Sequence, residues 1–153
     1  MKNIVLTRID DRLLHGQVVV SWIPYLKADE IVILDDEYAD DEFMSLLIKN
    51  AVPDNIKIHI LSSDACEAYL NGKGEGERIL VLVRTVEYLK KLICSGVEIK
   101  KINVGNLGGA PERKQHYNSV YLSDEELKLL KDIAKKTEVE IKMLPNDKGI
   151  RMV

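Results

Sequence analysis

No run of apolar residues in this chain approaches the roughly 18 that a membrane-spanning helix needs, and charge enters at once with Lys2 and Arg8. The chain is therefore expected not to span a bilayer and to carry no secretory leader. A charge excess of one sign is missing too, with 22 Lys and Arg set against 25 Asp and Glu for a net charge of −3. Its basic residues are scattered and leave no field to neutralise a phosphodiester backbone, which argues against nucleic acid as a partner. Trp22 and the tyrosines lack the clustering of a base-stacking platform. There are only two cysteines, Cys66 and Cys94, and neither has a second cysteine at metal-ligand spacing. Both read as buried, reduced core residues of a cytoplasmic chain. No linker or low-complexity tract divides the sequence.

What remains is an ordinary globular composition, 46% hydrophobic and 31% charged over 153 residues, enough for one domain spanning 1–153. Five runs rich in Ile, Val and Leu read as strands: Ile4–Ile9, Glu30–Asp35, Lys57–Leu61, Arg78–Val83 and Lys101–Val104. Several are apolar at consecutive positions, as expected of parallel strands covered on both faces. Helical patterns lie between them. Asp40 or Asp41 can cap a helix to about Val52, before Pro53; Asp64 and Glu67 have capping-box-like spacing; Thr85 opens VEYLKKLIC, which stops at Gly96. Ser123 and Glu126 form a capping box for a last helix, and Val139–Leu144 reads as the last strand. The alternation predicts an α/β fold, a single-domain open doubly wound, mainly parallel sheet of about six or seven strands once Val120–Leu122 is counted, with helices on both faces. In such sheets ligands gather outside the carboxyl ends of the strands, near a switch in strand order.

The first such loop reads Asp10-Asp11-Arg12-Leu13-Leu14-His15-Gly16-Gln17, followed by VVVSWIPYL, a helix that bends or ends near Pro24. A histidine here stands at the amino end of a helix, where unpaired backbone N–H groups and the dipole favour an anion. Arg12 could clamp phosphoryl oxygens, Asp10 or Asp11 could accept the ring's other N–H, and Gly16 would let backbone approach the oxygens. The plainer reading is that His15 only caps the helix or packs in the loop, with Asp10 and Arg12 as a surface ion pair. The octapeptide alone leaves both open.

The string RIDDRLLHGQVVVSW closely resembles the active-site segment of the IIB components of the mannose and sorbose class of the bacterial phosphoenolpyruvate-dependent sugar phosphotransferase system. The resemblance runs the length of the chain, with VRTVEYLKKL and NVGNLGG as supporting segments. It implies a cytoplasmic domain, peripherally associated with a membrane transporter. In it His15 takes a phosphoryl group from a IIA component and passes it to a sugar imported by the membrane components IIC and IID. It implies catalytic roles for His15, Arg12 and Asp10, phosphate contacts from Arg12, Gly16 and Gln17, and no metal or organic cofactor. The segment LGGAPERKQHYNSVYL does not align residue by residue, so no role passes to Arg113, Lys114 or His116.

Other features fit less specific readings. Val104–Gly109 follows a strand and is expected to shape the rim near His15. Arg84 could donate to an anion, while Thr85 reads as a cap; His59, in a strand, and His116, in a polar loop, read as bystanders. A dinucleotide site is disfavoured because the first loop has one glycine where three are required, and no P-loop motif is present. A receiver-type signalling domain would need an aspartate after strand three and a lysine after strand five. The chain offers Ser62-Ser63 and Gly105-Asn106 instead. A non-catalytic anion-binding module is the remaining alternative.

Overall fold

The computed structural model describes Met1–Val153. The chain begins with β1 (Ile4–Asp10), whose loop feeds a π-helical turn (Val18–Trp22) and the short helix α1 (Ile23–Leu26). Then come β2 (Glu30–Leu34), α2 (Asp36–Ala39), α3 (Glu42–Asn50), β3 (Lys57–Leu61), α4 (Ser63–Leu70), β4 (Ile79–Val83), α5 (Val86–Cys94) and β5 (Lys101–Asn106). A hairpin of β6 (Lys114–Tyr117) and β7 (Val120–Leu122) precedes α6 (Asp124–Ala134), β8 (Glu138–Ile141) and β9 (Ile150–Arg151).

The strands form a seven-stranded sheet in the order β3-β2-β4-β1-β5-β8-β9, parallel throughout except for β9. Successive side chains of a strand point to opposite faces, so the consecutive apolar residues feed two cores at once. Ile31, Ile33, Leu80 and Leu82 pack with Val18, Trp22, Ile23 and Ile48 on one face. Val32, Leu34, Val81 and Val83 pack with Cys66, Leu70, Val86, Leu89 and Leu130 on the other. From β1 the chain crosses to β2 and then β3 on one side, and returns through β4 to β5 and β8 on the other. The strand order thus switches around β1, and the loop leaving its carboxyl end opens into the crevice this creates.

Helix starts are set by side chains that accept the otherwise unpaired N–H groups of a first turn. Asp41 accepts from Met44 N–H, Thr85 from Tyr88 N–H, and Ser123 with Glu126 makes the full capping box. Four expectations need correction. The cap before α4 is Ser62, which accepts from Ala65 N–H, and Asp64 sits inside the first turn. A short helix, α2, capped by Asp35, comes before the one Asp41 opens. Val120–Leu122 pairs with His116's strand β6 in a separate hairpin, so the seventh strand of the sheet is β9. The strand expected last, over Val139–Leu144, is β8, which ends at Ile141 and is followed by β9, although Lys142 N–H still reaches the Val104 carbonyl.

The two cysteines part company. Cys66 is buried as expected, and burial pushes its thiol up to about 12. Cys94 is exposed, because α5 turns Val86, Leu89 and Leu92 inward and leaves Cys94 on its outer side.

Candidate active site

The loop after β1 is braced at three points. Asp10–Leu13 closes a tight turn through Leu13 N–H to the Asp10 carbonyl at 2.9 Å. Leu13 takes the left-handed conformation, φ 52°, which costs a non-glycine residue about 1–2 kcal/mol. Its side chain is buried in the core, and burying a leucine contributes about 1.5–3 kcal/mol, enough to hold the turn. Asp11 points to the neighbouring strand, accepting from Asn106 Nδ2 at 2.7 Å and from Gly108 N–H at 2.7 Å. The glycine-rich segment after β5 is thereby tied to the His15 loop.

Asp10 is the hub. Its carboxylate is fully buried and accepts from four directions: His15 Nε2 at 2.7 Å, Arg8 Nη2 at 3.1 Å, Arg12 backbone N–H at 3.0 Å, and, more loosely, Arg12 Nε at 3.6 Å. Of the two aspartates open to the role, Asp10 is therefore the one on the ring. The bond to Nε2 leaves Nδ1 without a protein partner, and the ring keeps 16% of its surface exposed at the rim. The His15 carbonyl accepts Val19 N–H at 3.1 Å, so His15 stands at the mouth of the helix. Ahead of Val19, the N–H groups of Gly16 and Gln17 have no protein acceptor. Arg12, whose side chain is 45% exposed, donates from Nη2 to Gln17 Oε1 at 3.2 Å. Five residues expected from the sequence, Asp10, Arg12, His15, Gly16 and Gln17, thus share one corner. Nothing in the protein lies within 4 Å of where a Gly16 Cβ would be, so packing does not demand glycine there.

Arg8, to which the sequence reading gave no role, belongs to the same network. A fully buried arginine reads from sequence as one charged residue in an apolar strand, and only the sheet register shows it meeting Asp10 and Asn103. Arg84 is engaged elsewhere, pairing with Asp35 and donating to Glu37 at 3.0 Å, while Thr85 caps α5. His59 bonds Glu30 at 3.1 Å at the far end of the sheet, and His116 sits in β6 rather than in a loop.

The chain matches the family model described as the sorbose-subfamily IIB component of the phosphotransferase system over residues 4–153. It is 35% identical over 149 residues to the fructose-specific EIIB component of Bacillus subtilis, covering 96% of this chain and 91% of that protein. It is 29% identical to the mannose-specific EIIAB component of Escherichia coli, of which it spans 46%. Among solved structures, the N-acetylgalactosamine-specific IIB component 1 of Escherichia coli superposes with a TM-score of 0.91 at 31% identity, covering 96% of this chain and 97% of that one. No helix is long and apolar enough to cross a membrane. The chain belongs to the sorbose-subfamily IIB components, phosphoryl carriers of the mannose/fructose/sorbose class of the sugar phosphotransferase system.

Proposed function

We propose that His15 is the residue that carries the phosphoryl group, on Nδ1, receiving it from a IIA phosphohistidine and delivering it to a sugar during import through IIC and IID. The observation that supports this is the 2.7 Å bond from Nε2 to Asp10, which commits one ring nitrogen and leaves the other facing the rim. The mannose-specific relative, whose printed name combines EIIA and EIIB, supports a IIA partner.

The steps balance simply. The Nδ1 lone pair attacks phosphorus, an N–P bond forms as the donor's N–P bond breaks, and the Nε2 proton stays on Asp10's side of the ring. In the second step a sugar hydroxyl oxygen attacks, the Nδ1–P bond breaks, and the hydroxyl proton is lost to solvent. Both transfers are in-line with a loose transition state, so catalysis consists of positioning and of donors aimed at the equatorial oxygens. Arg12 supplies a planar fork, the unpaired N–H groups of Gly16 and Gln17 supply backbone donors, and Asp10 fixes the ring.

Incubation with phosphoenolpyruvate, the general phosphotransferase proteins and a matching IIA should label the protein with acid-labile phosphate, and His15→Ala should abolish the label. Label persisting in that variant defeats the assignment, and label stable to acid but lost in alkali favours a carboxylate acceptor of the receiver type.

A further inference from the structure

The carrier chemistry above makes no use of Arg8, yet its placement is costly. The side chain is fully buried, and desolvation pulls its pKa below the ordinary arginine range while Asp10 opposes that pull. An arginine stays protonated under both influences. Nη2 donates to Asp10, Nη1 donates to Asn103 Oδ1 and, at 3.4 Å, to the Lys142 carbonyl, and the guanidinium lies 5.0 Å from the Trp22 ring. Nε has no partner at all. Gly105 provides the space, since a Cβ there would overlap the guanidinium. Apolar residues often replace a buried ion pair with no loss of stability, so core filling does not account for this cation.

Charge accounts for it. A bare buried carboxylate against Nε2 would bind one proton too many in the Asp10–His15 pair. With that proton on the ring, the imidazolium has no lone pair for phosphorus. With it on Asp10, the carboxyl O–H donates to Nε2, and the ring's own proton moves to Nδ1, the outward nitrogen. Either way the nucleophile is lost.

We propose that Arg8 is a positioning residue: by neutralising Asp10 it keeps the His15 ring neutral with its proton on Nε2 and its lone pair on Nδ1. This rests on the reading of His15 as acceptor. The other charges nearby do not substitute for it. Arg12 approaches Asp10 from the exposed side at 3.6 Å, Asp11 is turned to Asn106 and Gly108, and Lys142 Nζ bonds Glu140 and the Pro145 carbonyl. Asn103, Asn106 and Gln17 are neutral, and the helix after the loop, VVVSWIPYL, has no ionisable side chain facing in.

The test follows the His15 ring by nitrogen-15 NMR from about pH 5 to 9, a window around the ordinary imidazole range, because those shifts separate imidazolium from the two neutral tautomers. Labelling from phosphoramidate is measured over the same range. In Arg8→Gln the pH at which the ring reaches the neutral Nε2–H form should rise by roughly one unit, labelling at neutral pH should fall roughly threefold, and alkali should restore it. Arg8→Lys, which keeps the charge, should retain the wild-type midpoint. A folded Arg8→Gln with the wild-type midpoint, or with a rate loss equal at every pH, overturns the proposal. If Arg8→Gln does not fold, Asp10→Asn is compared with Arg8→Gln/Asp10→Asn, which leaves no bare carboxylate. The double variant should titrate higher by roughly one unit, and equal midpoints overturn the proposal. Failure of the carrier reading shows separately, as absence of label in the wild type or label on His15→Ala.

Discussion

Asp10 and Arg12 are adjacent in role but opposite in exposure, and that difference separates stability from chemistry. Asp10 is buried with all its oxygens engaged, whereas Arg12 is nearly half exposed and touches Asp10 and Gln17 only at its edge. Arg12→Lys keeps the charge and loses the fork that matches phosphoryl oxygens. The rate of phosphoryl transfer to the variant should fall about tenfold, while its unfolding free energy stays within about 0.5 kcal/mol of wild type. Equal transfer rates would remove Arg12 from the chemistry. A second residue-scale outcome concerns the thiols. Native protein should react with a thiol reagent at Cys94 alone, since burial keeps Cys66 covered and its thiol high; two fast-reacting thiols would contradict the packing of α4. Much of the site was legible in the octapeptide because its residue types and spacing carry the anion chemistry directly. Arg8 was not, because its function depends on which strands lie beside β1, and no local spacing encodes that.

Among the elements, the helices announce themselves where a cap has an unambiguous reader. Ser123 and Glu126 satisfy each other's backbone, so the start of α6 was readable to the residue. Before α4 three candidate oxygens follow in succession, Ser62, Ser63 and Asp64, and only the backbone turn at Ser62 decides among them. The β6–β7 hairpin was harder still: β6 exposes nearly every side chain and has no apolar alternation to betray it. What pins that hairpin is Arg113, which forks onto Glu126 with two bonds of 2.9 Å and donates to the Gly108 carbonyl at 3.0 Å. Burial works against the ionised Glu126 carboxylate, but bonds from Arg113 and Ser123 outweigh it and hold the carboxyl below its ordinary value of 4.5. A folded-state value below the unfolded one means stability present in full above about pH 4.5 and lost as pH falls through the lower folded value. Glu126→Gln should therefore cost about 1–2 kcal/mol at neutral pH, and the gap should close in acid. Urea unfolding at the two pH values checks this; a gap of constant size would assign the loss to packing.

At the scale of the molecule, a rigid centre holds a reactive rim. β2 and β4 are buried at every position, flanked by parallel neighbours and covered by helices on both faces. β1 shares that environment and ends in Asp10, so the hub of the site is rooted in the least accessible part of the sheet, with its loop one turn away from solvent. β9, two exposed residues long, ends the sheet at one edge, and β6 lies outside the sheet with nearly every side chain exposed, although its partner β7 buries Val120 and Leu122. Local opening follows burial and backbone bonding, so amide exchange should rank these regions. The amides of β2, β4 and the second half of β1 should exchange only through global unfolding, with one free energy and one dependence on denaturant. Those of β6 and β9 should exchange by fraying, with little denaturant dependence. Asp11 and Leu13 donate to the Asn106 and Asp10 carbonyls and should fall between, slower than the hairpin although they belong to a loop, with the Leu13 side chain buried beneath it. Should Asp11 and Leu13 exchange as fast as β6, the loop would not be held in the geometry that aims His15 Nδ1 outward. Phosphoryl transfer would then have to order the loop anew in each encounter, rather than find it already in place.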